Sequence, residues 1–135
     1  MPLHRLVSLG CLAAVVSLGT GCTPQKLDPG YLAAHEAVAE AQCCRARYYA
    51  SATGESGSVA DEMNAFGESC TAEIGGVSKI ADYTQKALPE GFDSEFDYTE
   101  KLSEDDQKKI KELEVRGQEC SVRATEAWNA KTGGV

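Results

Sequence analysis

Cysteine offers the most chemistry in this chain. Of its six cysteines, Cys43 and Cys44 stand side by side in the stretch AQCCRARYY, Cys70 and Cys120 come later and singly, and Cys11 and Cys22 lie near the start. Such a set can serve as disulfides, as a four-thiolate metal site, or as a thiol–disulfide exchange centre. Zinc sites take their cysteines as C-x-x-C pairs from turns, and none is present. Exchange chemistry needs a thiol of lowered pKa, which Arg45 and Arg47 could supply, but it too uses C-x-x-C. Disulfides remain. Adjacent positions on a helix diverge by about 100°, so Cys43 and Cys44 aim at different neighbours, and a bond between the two is geometrically unfavourable. The expectation is one bridge from each to Cys70 and to Cys120, with both pairings open. The competing reading is a soluble periplasmic or secreted helical protein whose cysteine layer senses metal or redox state.

Other chemistry is thin. Two histidines are present: His4, at the extreme start, and His35, beside Glu36 on the inward side of a helical run. No serine or cysteine nucleophile is spaced to work with either. There is no glycine-rich phosphate loop and no haem-attachment motif. The chain is expected not to be an enzyme and to use no cofactor. The stretch PEGFDSEFDYTEKL, residues 89–102, is acidic and aromatic. Asp93, Glu95 and Asp97 alternate, and Glu104 stands where position twelve of a calcium loop places its carboxylate. Tyr98, however, takes the place of the required glycine, and Glu100 that of an apolar residue. A solvated loop is therefore the first expectation and a weak cation site the second. Phe92, Phe96 and Tyr98, set among carboxylates, suit either contact with a partner or closure of the open end of a bundle.

The elements that must position these residues can be read from apolar spacing. A helical run extends from Gly30 to about Ala52, with Tyr31, His35, Val38, Gln42, Ala46 and Tyr49 recurring every three to four residues and Glu36, Glu40 and Arg47 opposite. TGESGS, residues 53–58, reads as a turn. Val59, Met63, Phe66, Cys70, Ile74, Val77, Ile80, Thr84 and Leu88 step by fours and threes, the seam of a packed helix. Gly75-Gly76 interrupts it and invites a kink or a split. Ser103 caps a third run through Ile110, Leu113, Gly117, Cys120, Ala124 and Trp128, and the tail KTGGV is expected to fray. The expected fold is all-α, a small antiparallel three-helix bundle stapled by disulfides. Folding the runs about their connections on paper puts Cys43, Cys44, Cys70 and Cys120 at one level.

The first residues decide where the chain goes. MPLHRLVSLGCLAAVVSLGTGC has a basic start, an apolar middle too short to span a bilayer, and a small-residue exit, the parts of an export signal. Leu18-Gly19-Thr20-Gly21-Cys22 resembles the lipobox of bacterial lipoproteins, in which a cysteine is lipidated and becomes the new N-terminus. Thr20, Gly21 and Cys22 match the pattern, and Leu18 stands one place ahead of its aliphatic position, held here by Gly19. Gly19 and Gly21 would also suit an ordinary secretory cut. Cysteine parity favours lipid: with Cys22 acylated, four cysteines remain and can pair completely. The resemblance implies a signal peptide over residues 1–21, a lipidated Cys22 with a tether over 22–29, and a domain over 30–135. Thr23 after the cysteine implies the outer membrane, with the domain facing periplasm or exterior. A seven-residue tether reaches about 23 Å.

The residues beyond the signal are enough for one small domain. The whole chain carries a net charge of −8, and loss of Arg5 with the signal makes the remainder more negative. That disfavours nucleic acid and anionic headgroups as partners. Large apolar residues are sparse and alanine and glycine plentiful, so covalent staples are expected to supplement a thin core. The combined expectation is a membrane-tethered envelope lipoprotein with a binding or structural role and an envelope protein as partner.

Overall fold

A computed structural model describes residues 23–76 and 79–134, and the described chain is helical, with no strand. The signal segment, Cys22 and Val77 of the expected helical seam lie outside the described residues. Among those residues no helix is long and apolar enough to cross a membrane.

Helix α1 spans Pro29–Ser51. Asp28 caps it by accepting from the Tyr31 N–H at 3.0 Å, and Pro29 suits the first helical position because its missing N–H has no partner there anyway. The interior is rich in alanine, the best helix former. Its buried residues do not form one stripe: Ala39 and Cys43 share a face, whereas Ala41 lies roughly 200° round from Ala39. A helix buried on two sides is central, and α1 is packed by a different helix on each side.

Glycine at positive φ ends α1's connection: Gly54 (φ 79°) presents its N–H to Glu62 at 2.6 Å. Ser58 then caps α2, Val59–Thr71, by accepting from Asp61 N–H at 3.0 Å. The helical seam splits at Gly75-Gly76, one of the outcomes the glycine pair invites. After α2 a 3-10 turn covers Ala72–Ile74, and Gly75 at φ 80° closes it through its N–H to Ala72 O. Helix α3, Ile80–Lys86, resumes beyond.

The connector departs from expectation. Residues 89–102 are not a plain loop, because Ser94 accepts from Asp97 N–H at 3.1 Å and starts α4, Glu95–Glu100. Ser103 caps α5, Glu104–Thr132, through Asp106 N–H at 3.2 Å, and Gly133 at φ 73° terminates it. The tail does not fray where expected: Lys131 Nζ donates to Ala52 O at 2.7 Å, tying the last turn of α5 to the end of α1.

α1 and α5 make the most extensive helix pair and run in the same direction, since Tyr31 packs with Ile110 while Ala52 lies beside Lys131 and Ala124. α2 returns along α1 in the opposite sense. The apolar interior falls into two clusters: Tyr31, Tyr98, Leu102 and Ile110 at one end, and Tyr49, Ala52, Met63 and Ala124 at the other. Between them lie the sulfurs.

Candidate functional site

The expected cysteine level exists. Cys43 bonds Cys120 and Cys44 bonds Cys70, with Cα–Cα separations of 4.9 and 5.9 Å, inside the usual range of about 4.4–6.8 Å. The divergence of adjacent helical positions is put to use: Cys43 faces α5 and Cys44 faces α2. Among the described residues no cysteine is free, so a four-thiolate metal layer is not the arrangement present. Cys43 and Cys120 are buried, whereas Cys44 and Cys70 are half-buried. The bridges close loops of 77 and 26 residues, worth about 4.5 and 3.5 kcal/mol if loop-closure entropy alone operated. The basic neighbours serve other groups. Arg45 Nη2 donates to Tyr49 Oη at 3.2 Å, with its guanidinium carbon 5.3 Å from that ring's centroid. Arg47 reaches Glu40 at 3.0 Å, and Glu40 also receives Arg116 at 3.1 Å. The hydrogen bond from Arg47, and after it that from Arg116, holds the Glu40 carboxyl below the usual carboxylate range.

The four acidic residues of the candidate cation loop are not brought together. Asp97 pairs with Lys101 at 3.2 Å within α4, Asp93 is exposed, and Glu104 belongs to the first turn of α5. Glu95 turns inward, where its Oε1 accepts from Tyr31 Oη at 3.0 Å and lies 3.2 Å from His35 Nε2. A helix through Glu95–Glu100 cannot also be the open loop that wraps a calcium ion. Among the described residues no group of three or more His, Cys, Asp or Glu is arranged to hold a metal ion.

The three connector aromatics part company. Tyr98 has no exposed surface: its hydroxyl donates to Lys26 O at 3.1 Å and accepts from Asp28 N–H at 2.7 Å. Phe92 packs edge-on against it, centroids 5.0 Å apart. Tyr98 is a core residue and Phe92, half-buried, packs against it at this end of the described domain. Phe96 remains at the surface, 73 % exposed. The segment expected as tether makes contacts in the same place: Gln25 N–H donates to Lys101 O at 2.7 Å, and Leu27 packs on the cluster around Tyr98.

Sequence reasoning named His35 and Glu95 separately but did not bring them together with Tyr31, the two rings buried and Glu95 half-buried beside them. Burial first, and then the Glu95 carboxylate, pushes the Tyr31 phenol well above its ordinary value of 10.0. His35 and Glu95 are 60 residues apart with a helix break between them, and only Ser94, spaced to cap a helix ahead of Asp97, hinted that Glu95 would be fixed in place. Comparison of the chain with known protein families, with curated proteins and with solved structures finds no match.

Proposed function

We propose that this chain is an envelope lipoprotein, anchored by acyl chains on Cys22, whose domain serves as a disulfide-stapled binding or structural component. On this reading α1, the α2–α3 run and α5 are the three rods of an antiparallel bundle, and α4 is a closing piece at the tethered end. The pairing of Cys43 with Cys120 and of Cys44 with Cys70 carries the reading. It suits an oxidising compartment, and cysteine parity in an exported chain that has lost Cys11 then favours acylation of Cys22.

The strapping of Gln25 to Lys101 adds a geometric consequence. With Cys22 in the headgroup region, only Thr23 and Pro24 are left as free tether, so the domain hangs within about 10 Å of the surface. The end carrying α4 and exposed Phe96 faces the membrane, and the far end, with Trp128 and the turn at Gly54, faces away. Stability of shape, not turnover, is what such an arrangement offers a partner in the envelope, and favoured placement is the outer membrane.

Intact mass of the protein isolated from its native envelope, before and after reduction, tests this. The expected mass carries acyl chains on a chain beginning at Cys22 and rises by four hydrogens on reduction. A chain cut at the same place without acyl mass overturns the anchor, and a smaller rise overturns the double staple.

A further inference from the structure

Between α1, α3 and α5, next to α4, lies a cavity of about 270 Å³. His35, only 7 % exposed, lines it. Its Nε2 is buried and makes no hydrogen bond, because Glu95 Oε1 at 3.2 Å is close but out of line. A buried imidazole nitrogen without an aligned partner is costly unless something else satisfies it.

The rest of the lining says what would. The carboxylates Glu95 and Glu114 border the cavity, and Gln42, Thr84 and Gln118 add neutral polar groups. Among the described residues no lysine or arginine lines it, and the nearest cation to Glu114 is the exposed Lys111, its Nζ 3.9 Å from Glu114 Oε2. Glu95 reaches the His35 side of the cavity directly, its Oε1 lying 3.2 Å from Nε2. The wall is otherwise apolar, with Val38, Ile80 and Leu113. The chain's net charge of −8 adds long-range attraction for cations. A metal ion needs donors converging at about 2–2.6 Å, and no such convergence is present among the described residues. An ammonium group instead spreads three N–H donors over separated acceptors. The volume sits at the small end of ligand pockets, which run from about 300 to 1,000 Å³, so the ligand has few heavy atoms.

We propose that this cavity binds a primary alkylammonium group, with Glu95 and Glu114 as its charge partners, the buried His35 Nε2 as a further polar contact, and Val38, Ile80 and Leu113 around a short alkyl chain. The proposal goes beyond the tethered-component reading and does not depend on lipid at Cys22.

The test monitors the His35 ring resonances by nuclear magnetic resonance in the full chain, disulfides intact, in detergent. The chain's only other histidine is His4, so His35→Gln assigns the signal. Butylammonium chloride is titrated against 1-butanol, which has the same chain without the charge, and against zinc chloride. The expected result is a saturable shift with butylammonium and none with butanol. Glu114→Gln, at an exposed position, and Glu95→Gln each weaken binding roughly tenfold, as loss of a charge-assisted partner does. Lysine blocked at both backbone ends separates sources: a shift of the same kind means protein side chains can supply the group, and its absence restricts the site to free amines. A shift shared by butanol, a shift from zinc alone, affinity unchanged in both glutamine variants, or no saturable shift overturns the proposal.

Discussion

Cys43 and Cys44 are one residue apart and belong to different environments. The Cys43–Cys120 sulfurs are shielded where α1 meets α5, while Cys44–Cys70 borders a surface recess with Glu40, Arg47 and Glu73. Thiol–disulfide exchange requires in-line access to a sulfur, so a mild reductant is expected to open Cys44–Cys70 first. Alkylation of the full chain at intervals, with peptide mass mapping of each sample, reads the order. Labels appearing first at Cys43 and Cys120 would contradict the burial argument. Tyr98 is the second residue whose single atom matters. Its hydroxyl joins α4 to the segment entering α1 through Lys26 and Asp28, and Tyr98→Phe leaves both backbone groups without that partner. A loss of about 1–3 kcal/mol is expected, read as an earlier urea midpoint of the full chain at unchanged slope.

At the scale of elements, the closeness of α1 and α5 depends on Gly117. A Cβ built there would lie 3.6 Å from Ala39 Cα and 2.5 Å from Gln42 Oε1. The glutamine end can swing aside, so Gly117→Ala is expected to be mild. Gly117→Leu must push the helix backbones apart and is expected to cost about 1–3 kcal/mol, with the Cys43–Cys120 bridge slower to re-form after reduction. Chemical denaturation of both variants separates the cases, and equal effects would mean that the contact is not close. Gly117 also shows what the sequence makes legible. Its spacing with Ile110, Leu113, Cys120 and Ala124 places it on the inner face of α5, and the long helices, the Ser103 cap and the break at Gly75-Gly76 are all visible in such local patterns. The level at which four cysteines meet is visible too, because helix length and turn length fix height along a bundle. The pairing is not, because Cys43 and Cys44 differ in direction round the helix and height is nearly the same for both. α4 is hidden for another reason. Its six residues are as acidic as a loop, and their helix is held by Tyr98 reaching Lys26 and Asp28, contacts over about 70 residues that no local pattern encodes. The site around His35 and Glu95 inherits that difficulty, since it exists only once α4 has docked.

The whole molecule is two small apolar clusters separated by a covalent layer, and its stability is spread accordingly. Its ion pairs are largely exposed, as with Arg47–Glu40 and Lys86–Asp82, and such pairs contribute little, so added salt is expected to change the unfolding midpoint only slightly. Alkali should act far more strongly. Tyr31 and Tyr98 are both without exposed surface in the cluster with Leu102 and Ile110, and burial raises both phenols from an ordinary value of 10.0. A phenol raised in the folded state keeps its proton after the unfolded chain has lost it. Stability is therefore complete below about pH 10 and falls as pH rises through the interval up to the folded-state values, by at most about 1.4 kcal/mol per pH unit for each tyrosine. The disulfides hold Cys43 and Cys44 to α5 and α2 but do not cross the cluster around Tyr98, so that cluster is expected to open first. Urea unfolding of the full chain at a series of pH values, monitored by tyrosine absorbance, should show a flat region through neutrality and a decline in alkali. In Tyr31→Phe, which keeps the ring and removes the ionisable hydroxyl, the decline should be shallower. A variant as alkali-sensitive as the parent would mean that Tyr31 ionises at the surface, and with it the burial of Tyr31 in the cluster with Tyr98, Leu102 and Ile110 would have to be abandoned.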